Sequence, residues 1–490
     1  MPQLPESFHA VVIGGGLGGL AAALRLRASG ARVTLLEKNA QTGGKAVEIR
    51  AAGFRWDTGP SLLTMPWVLE DLFTAAGARS SDHLSLERIS PVCRYFWPDG
   101  TSIDEDEAFF QRPEVARFLH YAQGIYELSG EAFLTRPPED LWKAFHPANW
   151  HKLIHLPKVA TFQSVSQTVD RYFTDSHLRQ LFKRFATYNG SSPYAAPATF
   201  NVIPYVEATF GAWYVRGGMA RIAEALTRLA CERGITVRTA TEVLRIDASG
   251  IHLRGGEILQ ADCTVFNGDV IRAHRDCIRF PGHEAEAARL AKPALSLSGF
   301  VLLLGVDRRF PQLSHHNIYF SQDYRTEFND LFQRRIPPGE PTLYLSATAH
   351  SDPADAPPGG DNLFILANCP ADDGTVDWST GKESYAEEII QMLERRGLSG
   401  LRGSIRHQEA LSPADFAARD LSSGGALYGW ASHSPLTALL RPPLQSRLDP
   451  SVFFVGGTTH PGGGIPLVLL SAQMAVEKIL RRFGDGGSRP

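Results

Sequence analysis

HAVVIGGGLGGLAAALRLRASGARVTLLEK, His9–Lys38, decides the fold. His9–Ile13 is a short apolar run of the kind buried in a parallel sheet. Gly14, Gly16 and Gly19 then match G-x-G-x-x-G. Leu17, Leu20, Leu24 and Leu26, with the intervening alanines, give the next segment an apolar helical face, and Gly30 ends it. ARVTLLEK, Ala31–Lys38, reads as a second buried strand that ends in Glu37, 23 residues after Gly14. Each part has a chemical reason. The first glycine permits a tight turn, the second lets backbone amides approach a pyrophosphate, and the third lets helix and strand pack closely. The helix N-terminus, including the amide of Gly18, offers partial positive charge. Glu37 is placed to accept hydrogen bonds from a ribose. Strand, glycine turn, helix, strand and acid in this order predict a Rossmann-like α/β dinucleotide-binding unit.

The segment after Glu37 selects among dinucleotides. A simple nicotinamide domain would continue into its next helix. Here Lys38 leads into a glycine loop, Gly43-Gly44-Lys45, and two short extended pieces that end near Thr58-Gly59-Pro60. This resembles the extension of the large superfamily of FAD-containing amine oxidases and phytoene desaturases, in which the loop lies along FAD. Lys45 stands where most members carry Arg; it keeps a positive charge without the bidentate fork. Near the other end, Val452–Val455 reads as a buried strand, Thr458–Gly464 as a glycine loop, and Ile465-Pro466 as the start of a helix with proline in its first turn. Glycine turns thus feed helices at both ends of the chain, and the simplest fold brings both to one cofactor.

DTGPSLLTMP (Asp57–Pro66) and GGTTHPGGGIPLVLLSA (Gly456–Ala472) resemble the two signatures of the bacterial-type carotenoid desaturases, the phytoene desaturase family. Similarity runs along nearly the whole chain and includes Arg171–Phe182, Val215–Leu226 and Phe328–Phe332. Ala186–Glu207 and Gly424–Trp430 resemble one branch, the hydroxycarotenoid 3,4-desaturases or methoxyneurosporene desaturases. The resemblance implies an FAD-dependent enzyme that introduces a C3–C4 double bond into a 1-hydroxy or 1-methoxy acyclic carotenoid. It implies an FAD domain assembled from residues 1–72, 215–290 and 440–490, and an α+β substrate-binding, membrane-facing domain from 73–214 and 291–439. Val243 is expected near the adenine, and Gly457, Thr459, Gly464, Ile465 and Pro466 at the flavin. Phytoene desaturation, an isomerase, oxygenase or saturase reaction, an amine oxidase, and a non-enzymatic carotenoid- or lipid-binding protein are the alternatives.

Composition bounds the rest. At 490 residues, with a domain size of about 150 residues, the chain is expected to form two or three lobes. It is 43% hydrophobic and 21% charged, as in a soluble globular protein, and its formal charge of -3 includes no basic run suited to nucleic acid. Five scattered cysteines without CxxC spacing suit a reducing cytoplasm and no metal site. The adjacent His315-His316 also lack metal-ligand spacing. No run reaches about 18 apolar residues, so a span is not expected. The hydrocarbon substrate that the resemblance implies would instead be reached by peripheral attachment to the cytoplasmic membrane surface. A quinone or O2 is the expected final electron acceptor.

The middle of the chain carries no second dinucleotide fingerprint. Val165–Ala186 reads as helical, with an apolar stripe through Val169, Phe173, Leu178 and Phe182. Tyr188, Tyr194, Phe200, Tyr205, Phe210, Trp213 and Tyr214 crowd a proline-shaped segment that reads either as core or as the wall of a tunnel. Glu207 lies in that segment and is the candidate proton acceptor. Asp104–Glu107 and Ser351–Asn362 read as solvated surface, and the tail from Phe483 to Pro490 as frayed.

Overall fold

The computed structural model describes residues 3–130, 163–434, 437 and 441–484. The C-terminal tail from 485 onward lies outside these residues. Among them, two sheets organise the chain. The first is a five-stranded parallel sheet in the order Val452–Phe454, Cys263–Phe266, His9–Ile13, Arg32–Leu36, Thr236–Arg238. Its strands are short and nearly all apolar because helices cover them. Helix Leu17–Ala28 packs against helices Ala220–Glu232 and Ile465–Phe483. It is buried almost all round from Leu17 to Leu26, which explains its lack of a charged outer face. Arg25, at one edge, is paired with Asp71.

The second sheet has seven strands, in the order Ile405–Leu411, Ser298–Val306, Asp361–Cys369, Leu343–Ala347, His316–Tyr319, Arg94–Phe96, Ser102–Asp104. It is antiparallel except where His316–Tyr319 meets Arg94–Phe96. Ser298–Val306 is buried along its full length, as its unbroken apolar run predicts. Helix Trp378–Arg395 covers one face. A cluster rich in aromatic rings, including Phe118, Phe173, Phe182, Phe185 and Phe328, covers residues near the Arg94–Phe96 edge.

Hairpin Glu48–Ala51/Phe54–Asp57 links the two units and corresponds to the two extended pieces after the glycine loop. The expected helix over Val165–Ala186 is broken. Helix Val165–Tyr172 ends at extended Phe173, and Asp175 caps a new helix, Ser176–Arg184, by accepting from the Leu178 amide. The strand pattern around residues 235–247 also divides: Thr236–Arg238 joins the parallel sheet, whereas Val243–Asp247 turns away into a three-stranded sheet.

Two surface readings are corrected. Within Ser351–Asn362, Asp352, Asp355, Asp361 and Asn362 are buried; Asp355 is only 3% exposed. Glu105, in the acidic run Asp104–Glu107, is 2% exposed. In each case a distant polar partner supplies the bonds that water would otherwise give.

Candidate functional site

The N-terminal turn is built around Asn267, which follows strand Cys263–Phe266. Its Nδ2 donates to the Gly14 carbonyl at 3.2 Å. A Cβ at Gly14 would lie 2.5 Å from the Asn267 carbonyl oxygen, and one at Gly19 would lie 2.0 Å from the Gly14 carbonyl oxygen. A Cβ at Gly18 would meet Asn267 Oδ1 at 2.7 Å and Gly456 Cα at 3.3 Å. These three glycines therefore let backbone and Asn267 close together, and Gly18 brings the N-terminal helix against the C-terminal loop. Gly16 is the N-cap of helix Leu17–Ala28, without a side-chain cap or an acid in the first turn. That end remains suited to an anion.

Glu37 is 5% exposed. Its Oε2 accepts from the Gly15 amide at 2.7 Å and its Oε1 from the Asn39 amide at 2.8 Å. The carboxylate thus holds the turn as well as facing the place expected for a ribose; each oxygen retains a second lone pair. Strand Thr236–Arg238 runs beside it, and the Thr241 amide donates to the Glu37 carbonyl. Two residues further, Val243 pairs with Leu253 and is half-buried.

The glycine loop returns across this turn. Gly43 donates to the Gly15 carbonyl at 2.8 Å and bridges to Gly16, while Gly44 packs on Gly16 Cα. Lys45 Nζ donates to the Leu427 carbonyl at 3.0 Å. Burial lowers its pKa, opposed by the charges of Asp420 and Asp269. Gly59 packs so tightly on the Lys45 carbonyl that a Cβ would come within 1.8 Å of its oxygen. Arg419, which the sequence reading missed, donates to Thr58 Oγ1 at 3.2 Å, and Lys38 Nζ donates to the Arg419 carbonyl at 3.2 Å. Pro60 follows at intermediate burial.

At the other end, Gly464 (φ +108°) caps helix Ile465–Phe483, with Pro466 in its first turn and no side-chain cap. Open space surrounds the Cβ direction of Gly464. Ile465 and Pro466 are buried. Gly457 packs against Gly463, and the Thr459 hydroxyl turns into the loop to donate to the Pro442 carbonyl at 2.6 Å. Arg441, also missed from sequence, ties this loop to the aromatic segment. It donates to the carbonyls of Tyr428 and Gly457, at 2.9 and 3.2 Å, and to Asn189 Oδ1 at 2.8 Å. Burial pulls its guanidinium down to about 10.

Ala186–Glu207 and Gly424–Trp430, far apart in sequence, meet here. The ring of Tyr428 lies against Gly190 on one side and Gly463 on the other. Lys45, Tyr188, Tyr344 and Tyr428 lie deep in the protein yet each keeps some accessible surface, which indicates internal space beside each of them. Behind Tyr188, Glu207 is 1% exposed and accepts from the Tyr188 hydroxyl at 2.6 Å. Burial raises the pKa of Glu207, against the nearby Arg184 charge. His315 and His316 are held by hydroxyl groups: their Nδ1 atoms lie 2.7 Å from Ser351 Oγ and 2.8 Å from Tyr344 Oη, and burial holds both rings neutral.

Two helix N-termini without side-chain caps, a glycine-lined turn, a buried acid after the second strand and a half-buried lysine are groups that suit an extended dinucleotide. Fold and site together define an FAD-dependent oxidoreductase. Residues 17–480 match the family described as flavin containing amine oxidoreductase, and the chain belongs to that family. The chain is 37% identical to a 4,4'-diapolycopene oxygenase of Methylomonas sp, over 97% of this chain and 98% of that protein. It is 34% identical to the 4,4'-diaponeurosporene oxygenase of Staphylococcus haemolyticus (strain JCSC1435), over 96% of each. Among solved structures, an oxidoreductase from Methanosarcina mazei superposes with a TM-score of 0.64 at 16% identity, covering 96% of this chain and all of the other. Putrescine oxidase bound to putrescine gives 0.64 at 14% identity, covering 97% and 99%. Those two likenesses concern the fold.

Proposed function

We propose that this protein oxidises one end of a long acyclic carotenoid in carotenoid biosynthesis, using FAD. The observation that carries this reading is identity above 30%, over nearly the full length of each chain, to two proteins named as oxygenases of such carotenoids. Oxygenation of the substrate end is the reaction those relatives support. The second reading is C3–C4 desaturation of a 1-hydroxy or 1-methoxy end. It is favoured by the branch resemblance of Ala186–Glu207 and Gly424–Trp430, which pack together against the C-terminal glycine loop.

When bound, FAD supplies two-electron acceptor chemistry. The chain's own part is binding, alignment and exclusion of water. Gly14, Gly16, Gly18 and Gly19 would hold the pyrophosphate end and Glu37 the ribose, with Val243 near the adenine. Lys38, Gly43, Gly44, Lys45, Thr58, Gly59 and Pro60 would lie along the cofactor, and Gly457, Thr459, Gly464, Ile465 and Pro466 around its redox end. Residues 1–72, 215–290 and 440–490 are read as the cofactor unit and 73–214 with 291–439 as the substrate unit. Among the described residues no helix is long and apolar enough to cross a membrane. A substrate made of hydrocarbon nevertheless favours entry from a membrane surface, since each CH₂ exposed to water costs about 0.8 kcal/mol. A quinone or O2 would then reoxidise the enzyme.

The test offers FAD-loaded protein 4,4'-diapolycopene, 4,4'-diaponeurosporene, a 1-hydroxy carotenoid and phytoene, each in the same liposomes. Gain of oxygen by either of the first two supports oxygenation. Loss of one hydrogen pair from the 1-hydroxy carotenoid alone supports desaturation. No change in any of them overturns the carotenoid reading.

A further inference from the structure

Beside Tyr188, four elements converge on two buried carboxyl groups. Tyr95, in strand Arg94–Phe96, donates its hydroxyl proton to Glu105 Oε2 at 2.5 Å. Arg184, the last residue of helix Ser176–Arg184, donates to the Tyr95 hydroxyl at 2.8 Å. Its guanidinium lies over the rings of Tyr95, Phe185 and Tyr188, with its carbon 4.6–5.3 Å from the centroids. Tyr188 donates to Glu207 Oε2, on helix Val202–Phe210. The remaining Glu207 oxygen, Oε1, is buried without a hydrogen-bond partner, and Glu105 is the neighbouring carboxyl on which the Glu207 charge acts. Two carboxyl groups cannot bond to each other unless one carries a proton.

Charge leads to the same count. Arg184 is the cation facing both carboxyls, and one cation neutralises one carboxylate. The other groups around the cluster are neutral. Burial raises Cys93, Tyr95, Tyr188 and Tyr324 above the range in which they ionise, and holds His316 uncharged. Leaving both carboxyls ionised in this apolar surround would add an unpaired buried charge. We propose that Glu105 and Glu207 share one proton and, through Tyr188, take up the proton released when the substrate is oxidised.

This deepens the function proposed above and rests on it. In oxygenation with water as the oxygen donor, a C–H bond gives a hydride equivalent to the two-electron acceptor, water adds at that carbon and one proton is released; in desaturation the hydride equivalent leaves in the same way and the neighbouring carbon releases the proton. That proton passes to the Tyr188 oxygen as the phenolic proton moves to Glu207 Oε2. The carboxyl pair goes from one proton to two and returns the extra proton before the next cycle. Tyr188 is the catalytic residue of this path, because it keeps accessible surface beside internal space; Glu105 and Glu207 are positioning residues that act through it. Burial, with the neighbouring Glu207 charge, raises Glu105 well above the ordinary carboxyl range, which favours the one-proton state at neutral pH.

The experiment uses the FAD-loaded full chain. Infrared difference spectra, wild type minus Glu105→Gln and wild type minus Glu207→Gln, are expected to show a protonated carboxyl band at neutral pH that fades as pH rises; the subtraction removes the separate buried carboxyl of Glu327, which burial raises to about 7. Tyr188→Phe is expected to keep that band. With 4,4'-diapolycopene in liposomes, it should lower kcat about 100-fold, the low end for loss of a general acid–base group, with KM nearly unchanged. Absence of that band from the wild type minus Glu105→Gln spectrum at neutral pH overturns the shared proton. Wild-type kcat in Tyr188→Phe overturns the path while leaving the proposed function standing. If the wild-type protein oxidises no carotenoid, the functional reading and the path fall together, and the infrared titration still decides the shared proton. Should Glu207→Gln not fold, Glu105→Gln and Tyr188→Phe carry the test.

Discussion

Arg55 and Asp355 meet across 300 residues of sequence in a buried two-point ion pair, Nε to Oδ1 at 2.5 Å and Nη2 to Oδ2 at 2.6 Å. Asp57 joins them at 3.0 Å from Arg55 Nη1, and the Tyr214 hydroxyl bonds both Arg55 and Asp355. The pair fastens the hairpin beside the glycine loop to the large sheet. Asp355→Ala leaves a guanidinium buried with less compensation and is expected to cost about 3–5 kcal/mol in urea unfolding. Replacing both residues with apolar ones of similar volume should cost less than that single change. A double variant as unstable as the sum of the singles would show that the pair itself holds little energy.

Gly59→Ala places a methyl group inside the Lys45 carbonyl, at 1.8 Å in the present geometry. The loop from Lys45 to Ala46 has to move, and the lysine moves with it. The expected result is folded protein with strongly reduced FAD content after purification, read from the flavin absorbance. Gly19→Ala, whose Cβ meets the Gly14 carbonyl oxygen at 2.0 Å, should behave likewise at the other end of the path. Normal flavin content in both would mean that these contacts do not shape the cofactor site.

Glu37→Ala removes the acceptor of two backbone amides, Gly15 and Asn39, and also the group placed for the ribose. A charge-assisted hydrogen bond contributes about 1.5–3 kcal/mol, so FAD affinity should fall by at least tenfold. Glu37→Gln keeps one acceptor oxygen and should fall between. The products formed should not change, because the Glu37 carboxylate bonds the Gly15 and Asn39 amides of the cofactor turn and none of the groups proposed to handle the substrate. Wild-type FAD affinity in the alanine variant would remove Glu37 from the site.

The pH dependence of stability follows from Glu105. Its pKa is about 8 in the folded protein, raised first by burial, against an ordinary 4.5. A carboxyl raised on folding stabilises the protein most below its unfolded pKa and loses that contribution as pH rises through the folded value. Unfolding free energy should therefore decline between the ordinary carboxyl pKa and the raised folded one through this group, most steeply in the middle of that window and levelling off above it. Glu105→Gln should flatten that part of the curve. An identical slope in wild type and variant would show that Glu105 does not titrate in this window.

Membrane attachment is expected to be reversible. The protein should float with liposomes and come away without detergent, high salt removing only part of it where apolar side chains insert. Equal turnover of dispersed and liposome-held carotenoid, with no flotation, would count against this.

The cofactor-binding fold was legible because its signals are local. A glycine turn between two apolar strands, and a proline-started helix after a glycine loop, are each specified within about thirty residues of sequence. The rest depends on partners that no local pattern announces. Asp355 sits among prolines, glycines and acids, which by composition belong in water; Arg55 takes it inside. Asp104 and Glu105 are neighbours in one acidic run, yet Asp104 pairs outward with Arg94 while Glu105 turns in to Tyr95. Alternation along an extended segment was the available signal there, since successive residues face opposite ways. Arg419 and Arg441 likewise look like ordinary surface cations until the backbone carbonyls and hydroxyl they bond are placed around them.

The parallel sheet takes one outer strand from Val452–Phe454, and the next helix, Ile465–Phe483, lies against the first helix of the chain. During synthesis, then, the glycine turn is made first, and its companion is translated hundreds of residues later. A nascent chain exposes an apolar sheet edge and an unfinished nucleotide cradle for most of its time on the ribosome. Flavin capture is consequently a late event, and a chain stopped short of Val452 would carry the fingerprint without a place to keep the cofactor.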